Sequence, residues 1–365
     1  MINAVERLFN RDYVLLTGTS NTPLAQEAAA ILKKPLYSCN RGDFADGQQN
    51  IQIPENVRGK NVYIIQPSYS RDNPQYSAWE SLLITNAAHE AHAEQVRRID
   101  TCMKDMRADK KDAPRVPLAG KLHAQALELA GATTLVTFDL HNEALQNAFS
   151  RCRWDNVYTS VCLIPEIERW NPRNLMIASP DAGGGKRAQK IRDILAERGK
   201  VQVADRVAIA HKTRDFSAKD KSTTQILTDD FAGMDLLIVD DILNTGGTIA
   251  AAVEGFMKRR ARSVSAMFAH GFWVDGAFEI MGDAPLERIY VTNTLPQPEE
   301  AVADPRVKVI SVAPLVAGVI DRMQRDRSIS KDFILQSKKR GQEFLKPLYA
   351  PSILGRIRGL FDRLV

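Results

Sequence analysis

Cysteine is scarce in this chain: its 365 residues include four cysteines, and none of the four stands in a CxxC pair. Their spacing therefore argues against both a zinc site and a disulfide framework. Long hydrophobic runs are missing as well, because no apolar stretch approaches the roughly 18–20 residues of a membrane-spanning helix. The first residues also lack the apolar core of a signal peptide. These absences predict a cytoplasmic protein without a membrane span.

An excess of one charge is also missing, since 49 basic and 44 acidic residues leave a net charge of +5. Basic residues form only short clusters, at residues 97–98, 110–111, 258–262 and 338–340. Phosphorylated small molecules account for such clusters as well as a nucleic acid would. The charge distribution therefore predicts no nucleic-acid partner.

Strand-like and helix-like segments alternate, and the pattern restarts after a connection that contains Trp, Arg and Pro, with the boundary expected near residues 155–170. In the first half, the pattern predicts strands at 13–17, 61–66 and 134–139, and helices at 23–32, 78–93 and 118–130. In the second half, it predicts strands at 174–179, 207–210, 236–239, 263–269, 288–291 and 307–312, and helices at 185–198, 249–260 and 314–325. Strands separated by helices favour an α/β fold of two lobes, each with a mainly parallel sheet. We expect the lobes to span residues 1–160 and 161–325.

A basic extension follows at residues 326–365, interrupted by Pro347 and Pro351. Its last residues, 353–365 (ILGRIRGLFDRLV), have the pattern of an amphipathic basic helix. Such a helix can lie on a membrane surface. Packing against a neighbouring lobe or subunit is the interpretation that we favour.

The most informative segment is residues 236–248 (LLIVDDILNTGGT), in which a buried strand leads into two adjacent carboxylates and a small-residue turn. Asp240 and Asp241 fall at the carboxyl end of the strand, where open α/β sheets bind ligands. The turn precedes a helix, whose free N–H groups and dipole favour an anion. Each part alone is more often structural, as a solvated strand end or a plain turn. Together they predict a ribose 5-phosphate site formed by Asp240, Asp241, Asn244, Thr245, Gly246, Gly247 and Thr248.

Four further segments carry residues suited to phosphate chemistry. Residues 179–188 (SPDAGGGKRA) combine a strand end, Asp181 and a glycine-rich loop that lets the backbone approach a phosphate. Residues 139–141 (DLH) place His141 at another strand end, where a histidine can bind a metal or orient a phosphate. Residues 210–225 predict a mobile cationic loop with Lys212 and Arg214, suited to closing over a transferring phosphoryl group. Residues 107–121 are basic and can supply Arg107 to a polyphosphate.

In this order, the segments resemble ribose-phosphate diphosphokinase, the phosphoribosyl pyrophosphate synthetase family. The resemblance runs from about residue 13 to residue 325 and also includes DFADGQ (43–48), ENVRGK (55–60) and TFDLHNEALQNAF (137–149). The wider phosphoribosyltransferase group shares only the VDD and TGGT elements, so the DLH and HKTR segments favour the synthetase. The resemblance implies two phosphoribosyltransferase-type, Rossmann-like lobes and ATP-dependent diphosphate transfer to ribose 5-phosphate.

The same resemblance implies roles for particular residues. Asp240 and Asp241 would meet the ribose hydroxyls, and residues 244–248 would hold the 5-phosphate. His141 and Asp181 would bind or position Mg²⁺, while Lys212 and Arg214 would close on the diphosphate. The residues around ATP would be Phe44, Asp46, Gln48, Arg107 and Asp109. Phe44 and Asp46 would reach a neighbouring subunit's site, because the family's active unit is a dimer-based homo-oligomer, often a hexamer.

The chain departs from the family pattern mainly on the ATP side. Gln48 stands where the family usually has glutamate, and Ala108 stands where it usually has glutamine. Thr213 replaces a usual arginine, and Asn244 replaces a usual aspartate in the ribose-phosphate loop. Three functions remain open: an ordinary synthetase, a pyrophosphokinase with another donor or a larger acceptor such as ADP-ribose, and a catalytically weak regulatory homologue. The retained motifs favour the synthetase.

Overall fold

The computed structural model describes residues 12–214, 222–226, 228, 230–274 and 276–329. Strands β1 to β15 are, in chain order, Tyr13–Thr17, Leu36–Ser38, Asn40–Asp43, Gln49–Ile51, Asn61–Ile65, Gln95–Asp100, Thr134–Phe138, Arg153–Val157, Leu175–Ser179, Val203–Arg214, Ser222–Ile226, Asp235–Leu243, Ser263–Gly271, Ile289–Thr292 and Val307–Ile310. Helices α1 to α9 are Thr22–Leu32, Pro74–Glu90, Ala119–Leu129, Ser160–Trp170, Gly185–Arg198, Gly247–Lys258, Ala277–Asp283, Glu299–Ala303 and Ala313–Gln324. A 3-10 helix spans Glu143–Ala148.

Two sheets form the framework, which confirms the predicted α/β fold of two mainly parallel sheets flanked by helices. The first has the order β2-β1-β5-β6-β7-β8, and each of its strand pairs is parallel. The second has the order β11-β10-β9-β12-β13-β14-β15 and is parallel except for the β10–β11 pair. Their central strands are buried along their length, as β5, β7 and β9 illustrate. Parallel strands covered on both faces require such continuous apolar runs.

The prediction of a loop over residues 210–225 was wrong at both ends of that segment, which form strands. Strand β10 continues to Arg214, and β11 returns antiparallel to it, with Lys212 paired to Thr224 and Arg214 paired to Ser222. A two-stranded ladder satisfies backbone N–H and C=O groups whatever the side chains are, so a polar segment can form it. Residues 215–221 of the predicted loop lie outside the described residues.

The segment around the expected boundary at residues 155–170 contains regular structure that was not predicted. Strand β8 ends at Val157, and α4 begins at Ser160. Pro165 lies inside α4 and made the segment resemble a break. Val161 and Ile164 are among the apolar side chains that α4 buries in the core. This burial outweighs the helix-breaking effect of the proline, which composition alone overstated.

The two lobes share one hydrophobic core. It runs from β1, β5 and α1 to β9 and β12, and it includes much of α9. Helix α9 packs on α1, and the Gln324 Oε1 atom accepts hydrogen bonds from Asn61 at 3.1 Å and Tyr63 at 3.2 Å. Farther along, His270 contacts the Phe138 carbonyl through Nε2 at 3.0 Å. These contacts join the two lobes away from the edge strands of their sheets.

The lobe limits at residues 160 and 325 stay predictions. The predicted amphipathic helix at 353–365 lies outside the described residues. Among the residues that are described, no helix combines the length and apolar character needed to cross a membrane.

Replacing Leu315 by alanine is expected to lower the free energy of unfolding by about 2–5 kcal/mol. Leu315 is fully buried in α9 within the shared core, so its removal leaves a cavity. Chemical denaturation followed by circular dichroism measures the change. Leu129→Ala is the matched control, because Leu129 is 84% exposed and should lose little. Equal losses for both variants would contradict the shared core.

Candidate active site

A cavity of about 470 Å³ lies between the lobes, at the ends of β7, β9 and β12, and we call it the interlobe cavity. The first lobe contributes Arg107, Asp109, Lys110, His141 and Asn142. The second lobe contributes residues 181, 183–184, 187, 240–242, 244–246 and 248–249. The cavity thus brings Asp181, Asp240 and Asp241 together with residues predicted for the ATP side, although 132 residues separate Asp109 from Asp241.

The two adjacent aspartates contact Arg187 and His141 in this cavity. Strand β12 extends beyond its predicted end at residue 239, so Asp240 and Asp241 lie within it rather than after it. Arg187 donates from Nη1 to the Oδ1 atoms of Asp240 at 3.1 Å and Asp241 at 3.2 Å. The other carboxylate oxygen of Asp241 lies 2.7 Å from His141 Nδ1. Asp241 therefore joins a residue from each lobe, and its side chain is 4% exposed.

The pKa values of the pair separate because the two carboxyls have different partners. Burial raises the pKa of Asp240 well above its ordinary value, and the negative charge of Asp241 raises it further. Burial alone would raise the pKa of Asp241, but the His141 hydrogen bond and the Arg187 charge lower it below its ordinary value. The same hydrogen bond raises the pKa of His141 against the effect of its burial. The charged Asp241 thus favours an imidazolium across the lobe interface.

The turn at residues 244–248 connects the aspartates to α6. Asn244, Thr245, Gly246 and Thr248 line the interlobe cavity, while Gly247 is the first residue of α6 and is not part of the lining. Gly246 adopts a left-handed φ of 78°, and a Cβ built there would lie 2.7 Å from Met281 of α7. Helix α7 therefore supports the turn from behind. Thr248 and Ile249 of the first turn of α6 line the cavity, and the free N–H groups of a helix start favour an anion.

Replacing Gly246 by alanine is expected to destabilise the protein more than replacing Gly199 by alanine. Both glycines have positive φ, but a Cβ at Gly199 would meet no atom within 4 Å. The additional clash with Met281 should therefore cost about 1–3 kcal/mol beyond the backbone strain that both variants share. Urea unfolding of the two variants measures this difference. Identical losses would show that Met281 moves aside freely.

Asp181 and His141, the predicted Mg²⁺ residues, both line the interlobe cavity. One carboxylate oxygen of Asp181 accepts the Gly184 N–H at 2.9 Å and so orders the glycine-rich loop before α5. Within the described part of the chain, no group of three or more His, Cys, Asp or Glu side chains could hold a metal ion. Mg²⁺ is commonly bound by one or two carboxylates together with substrate phosphates and water. The Asp181 carboxylate fits that kind of site, and His141 lines the same cavity.

The residues predicted for ATP divide into two places. Arg107 and Asp109 line the interlobe cavity, and Asn142 donates a hydrogen bond to Asp109. Phe44, Asp46 and Gln48 instead lie on the hairpin of β3 and β4 and do not line that cavity. Asp46 accepts hydrogen bonds from the backbone and side chain of Gln48, at 3.1 and 2.8 Å. The roles of all five residues stay predictions.

Lys212 and Arg214, the predicted catalytic residues, lie at the end of β10, next to β11. Their backbone is described and their side chains are not. Strand β10 is the neighbour of β9, whose end carries Asp181. The predicted catalytic roles are therefore neither tested nor contradicted.

The sequence prediction missed Arg187, which contacts both aspartates, and it missed Lys110 and Asn142 in the cavity lining. Arg187 was visible as part of a basic start of α5, but its partner lies 53 residues away at Asp240. The contact forms because β9 and β12 are adjacent parallel strands, which brings the start of α5 next to the end of β12. The sequence does not show which strands are adjacent, so it carried no signal for this contact.

Comparisons with known proteins agree with this arrangement. A family described as the N-terminal domain of ribose phosphate pyrophosphokinase matches residues 13–131, and one described as a phosphoribosyl synthetase-associated domain matches residues 184–334. Ribose-phosphate pyrophosphokinase A of Dictyostelium discoideum is 34% identical over 319 residues, which cover 87% of this chain and 97% of that protein. Ribose-phosphate pyrophosphokinase of Wolinella succinogenes is 34% identical over 324 residues, covering 89% of this chain and 100% of the relative.

The fold is also similar to that of a solved structure. The crystal structure of phosphoribosylpyrophosphate synthetase from Mycobacterium smegmatis superposes with a TM-score of 0.76 and 28% sequence identity. The superposition covers 87% of this chain and 100% of that one. The two family matches together reach both lobes. The chain therefore belongs to the ribose-phosphate pyrophosphokinase family.

Proposed function

We propose that this protein transfers the β,γ-diphosphate of ATP to the anomeric hydroxyl of ribose 5-phosphate, forming phosphoribosyl pyrophosphate and AMP. The observation that carries this proposal is the position of Asp240 and Asp241 near the end of β12, shortly before the turn that opens α6, in a cavity shared by both lobes. Carboxylates beside an anion-binding helix start suit a sugar phosphate. The names of the relatives support the same reaction. Its setting is the cytoplasm.

On the acceptor side, Asp240 and Asp241 accept hydrogen bonds from the ribose hydroxyls. The 5-phosphate lies on the turn of Asn244 to Thr248, where backbone N–H groups and hydroxyls donate to its oxygens. Arg187 already offsets the negative charge of the two aspartates. The anomeric hydroxyl then lies toward the first lobe, where Arg107 and Asp109 contribute to the ATP side of the same cavity.

On the donor side, His141 and Asp181 would hold Mg²⁺ together with the ATP phosphates. When bound, the ion neutralises charge on the polyphosphate and draws electron density from the reacting phosphorus. Phe44 and Asp46 approach the nucleotide from a second copy of the chain, so the functional form is a homo-oligomer. Gln48 and Ala108, which depart from the family pattern, change the contacts to the adenine base of ATP.

The reaction requires positioning rather than covalent catalysis. The anomeric oxygen attacks the β-phosphorus of ATP, forming a new P–O bond as the bond between the β-phosphorus and the α–β bridging oxygen breaks. AMP leaves with that oxygen, and the hydroxyl proton passes to water. Lys212 and Arg214 close over the diphosphate and offset its charge as the bonds change.

A substrate panel tests this function and its alternatives. The purified protein would be incubated with Mg²⁺, each common nucleoside triphosphate and either ribose 5-phosphate or ADP-ribose. The products would be identified by mass spectrometry. AMP and phosphoribosyl pyrophosphate in equal amounts would support the proposal. Turnover only with another donor or acceptor would replace it, and inactivity with every pair, combined with tight binding to an active homologue, would indicate a regulatory subunit.

A further inference from the structure

A buried hydrogen-bond cluster attaches the β3–β4 hairpin to helix α2. Its centre is the carboxylate of Glu80, a side chain with no solvent exposure. This carboxylate accepts hydrogen bonds from the Thr19 N–H at 3.0 Å, Gln66 Nε2 at 2.7 Å and Asn40 Nδ2 at 2.9 Å. Asn40 is the first residue of β3. Glu80 therefore ties the base of the hairpin to the loops that follow β1 and β5.

Tyr76 extends this cluster by one helical turn and holds the hairpin at further points. Its hydroxyl donates to Asp43 at 2.7 Å and accepts from Asn40 at 3.0 Å. Its carbonyl accepts from Gln49 Nε2 at 3.0 Å. Residues four apart lie on one face of a helix, so Tyr76 and Glu80 meet the hairpin together. Both strands of the hairpin are thereby bonded to α2.

The position of Glu80 requires a specific backbone at the end of β1. A Cβ on Gly18 would lie 2.6 Å from Glu80 Oε2 and 2.2 Å from Gln66 Oε1. The glycine therefore leaves the space that the carboxylate enters. Burying a carboxylate costs free energy even when it is fully hydrogen-bonded, and apolar packing often stabilises a core as well. What the hydrogen-bonded cluster adds here is a fixed orientation of the hairpin.

The tip of the hairpin is exposed over residues 44–48. The Phe44 N–H donates to the Gln48 carbonyl at 2.8 Å, and the Gly47 N–H donates to the Phe44 carbonyl at 2.8 Å. These bonds close the tip, yet the Phe44 side chain is 55% exposed. Phe44 does not line the interlobe cavity of its own chain. Its exposed ring can therefore contact a group outside this chain.

We propose that Tyr76 and Glu80 are positioning residues that orient the hairpin tip, with Phe44 and Asp46, toward the nucleotide in the cavity of a second copy of this chain. The inference rests on the proposed function, because it concerns the ATP side of that reaction. It assigns to α2 the control of ATP affinity in a neighbouring subunit. The ribose 5-phosphate side of the same cavity is left unaffected.

The first test compares Tyr76→Phe and Glu80→Gln with Glu90→Gln, a control at the exposed end of the same helix. Tyr76→Phe removes one hydroxyl and should raise the KM for ATP about fivefold, as expected for losing about one net hydrogen bond. Glu80→Gln leaves buried hydrogen-bond donors unpaired and should raise the KM for ATP about 30-fold. The KM for ribose 5-phosphate should stay within about twofold of wild type. An unchanged KM for ATP in Tyr76→Phe, or an equal rise for both substrates, would overturn the inference.

The second test asks whose site the hairpin serves. Glu80→Gln chains and inactive Lys212→Ala chains, carrying different tags, would be co-expressed and purified through both tags. A Glu80→Gln chain keeps Lys212, and a Lys212→Ala chain keeps an intact hairpin. When the chains mix at random, about a quarter of the sites combine the Lys212 of the first with the hairpin of the second. Activity at low ATP should then exceed that of either variant alone. No recovery, or no co-purification, would overturn the role in a neighbouring site.

The two proposals fail in different ways. If wild-type protein does not convert ATP and ribose 5-phosphate, the proposed function is wrong. If wild-type protein is active but the variants keep a normal KM for ATP, only the positioning role is wrong. Thermal unfolding of each variant separates a local change from loss of the fold, because Tyr76→Phe retains the ring and its packing.

Discussion

Replacing Lys212 by alanine is expected to lower kcat by about 10³-fold, because a cation that offsets charge on a transferring phosphoryl group acts mainly in the transition state. Lys212 stands near the end of β10, where the backbone pairs with Thr224 of β11. Alanine keeps those backbone bonds, so the strand pair and the overall fold should be retained. The loss should therefore appear in kcat rather than in stability.

Steady-state kinetics with saturating ATP and ribose 5-phosphate measures the Lys212→Ala effect, and thermal unfolding checks the fold. Lys258→Ala is the matched control, since Lys258 is 77% exposed and pairs only weakly with Glu254 at 3.4 Å. It should retain wild-type turnover. A kcat for Lys212→Ala within tenfold of wild type would remove Lys212 from the catalytic machinery.

Replacing Asp241 by asparagine is expected to lower kcat/KM for ribose 5-phosphate by about 10²–10³-fold, as for the loss of a charged hydrogen-bonding group that contacts the reacting substrate. Asp241 is the residue on which His141 and Arg187 converge. Asparagine has the same shape but no charge, so it cannot favour the imidazolium of His141 or accept hydroxyl protons as strongly. Arg187 keeps its partner Asp240, which should limit the structural disturbance.

The Asp241→Asn effect should be larger for ribose 5-phosphate than for ATP, and initial rates with each substrate varied in turn measure the two KM values. Asp230→Asn provides the control, because the Asp230 side chain is 82% exposed and remote from the cavity lining. Equal losses for both substrates would assign Asp241 to the reaction centre as a whole rather than to the acceptor. Wild-type kinetics would exclude it from the site.

Local patterns predicted some elements to the residue. Strand β1 was expected at 13–17 and α5 at 185–198, which are their observed limits. Both are short segments with clear ends: β1 is a buried apolar run before a glycine, and α5 ends at Gly199 in the left-handed conformation. Where the local signals conflicted with packing, prediction was wrong. Pro165 concealed α4, and the polar sequence of β10 and β11 concealed their pairing.

The candidate site also combines features that local sequence predicted with contacts that only packing decided. The aspartate pair and the turn before α6 were evident because one continuous segment carries a strand, two carboxylates and a helix start. Arg187 was not, because its contact with Asp240 depends on β9 and β12 being neighbours. Likewise, nothing in residues 43–48 indicated that Glu80 would hold their hairpin from a helix more than 30 residues later.

The amino-acid sequence by itself determined the periodic elements, the family resemblance and the chemistry available at each strand end, since these depend on neighbouring residues along the chain. Tertiary structure alone decided which strand ends meet. Parallel strand order and the shared core of β1, β12 and α9 place His141, Arg187 and Asp241 in one cavity from two lobes. Contacts across such distances arise from burying the faces of whole sheets and helices, and no short segment encodes that burial.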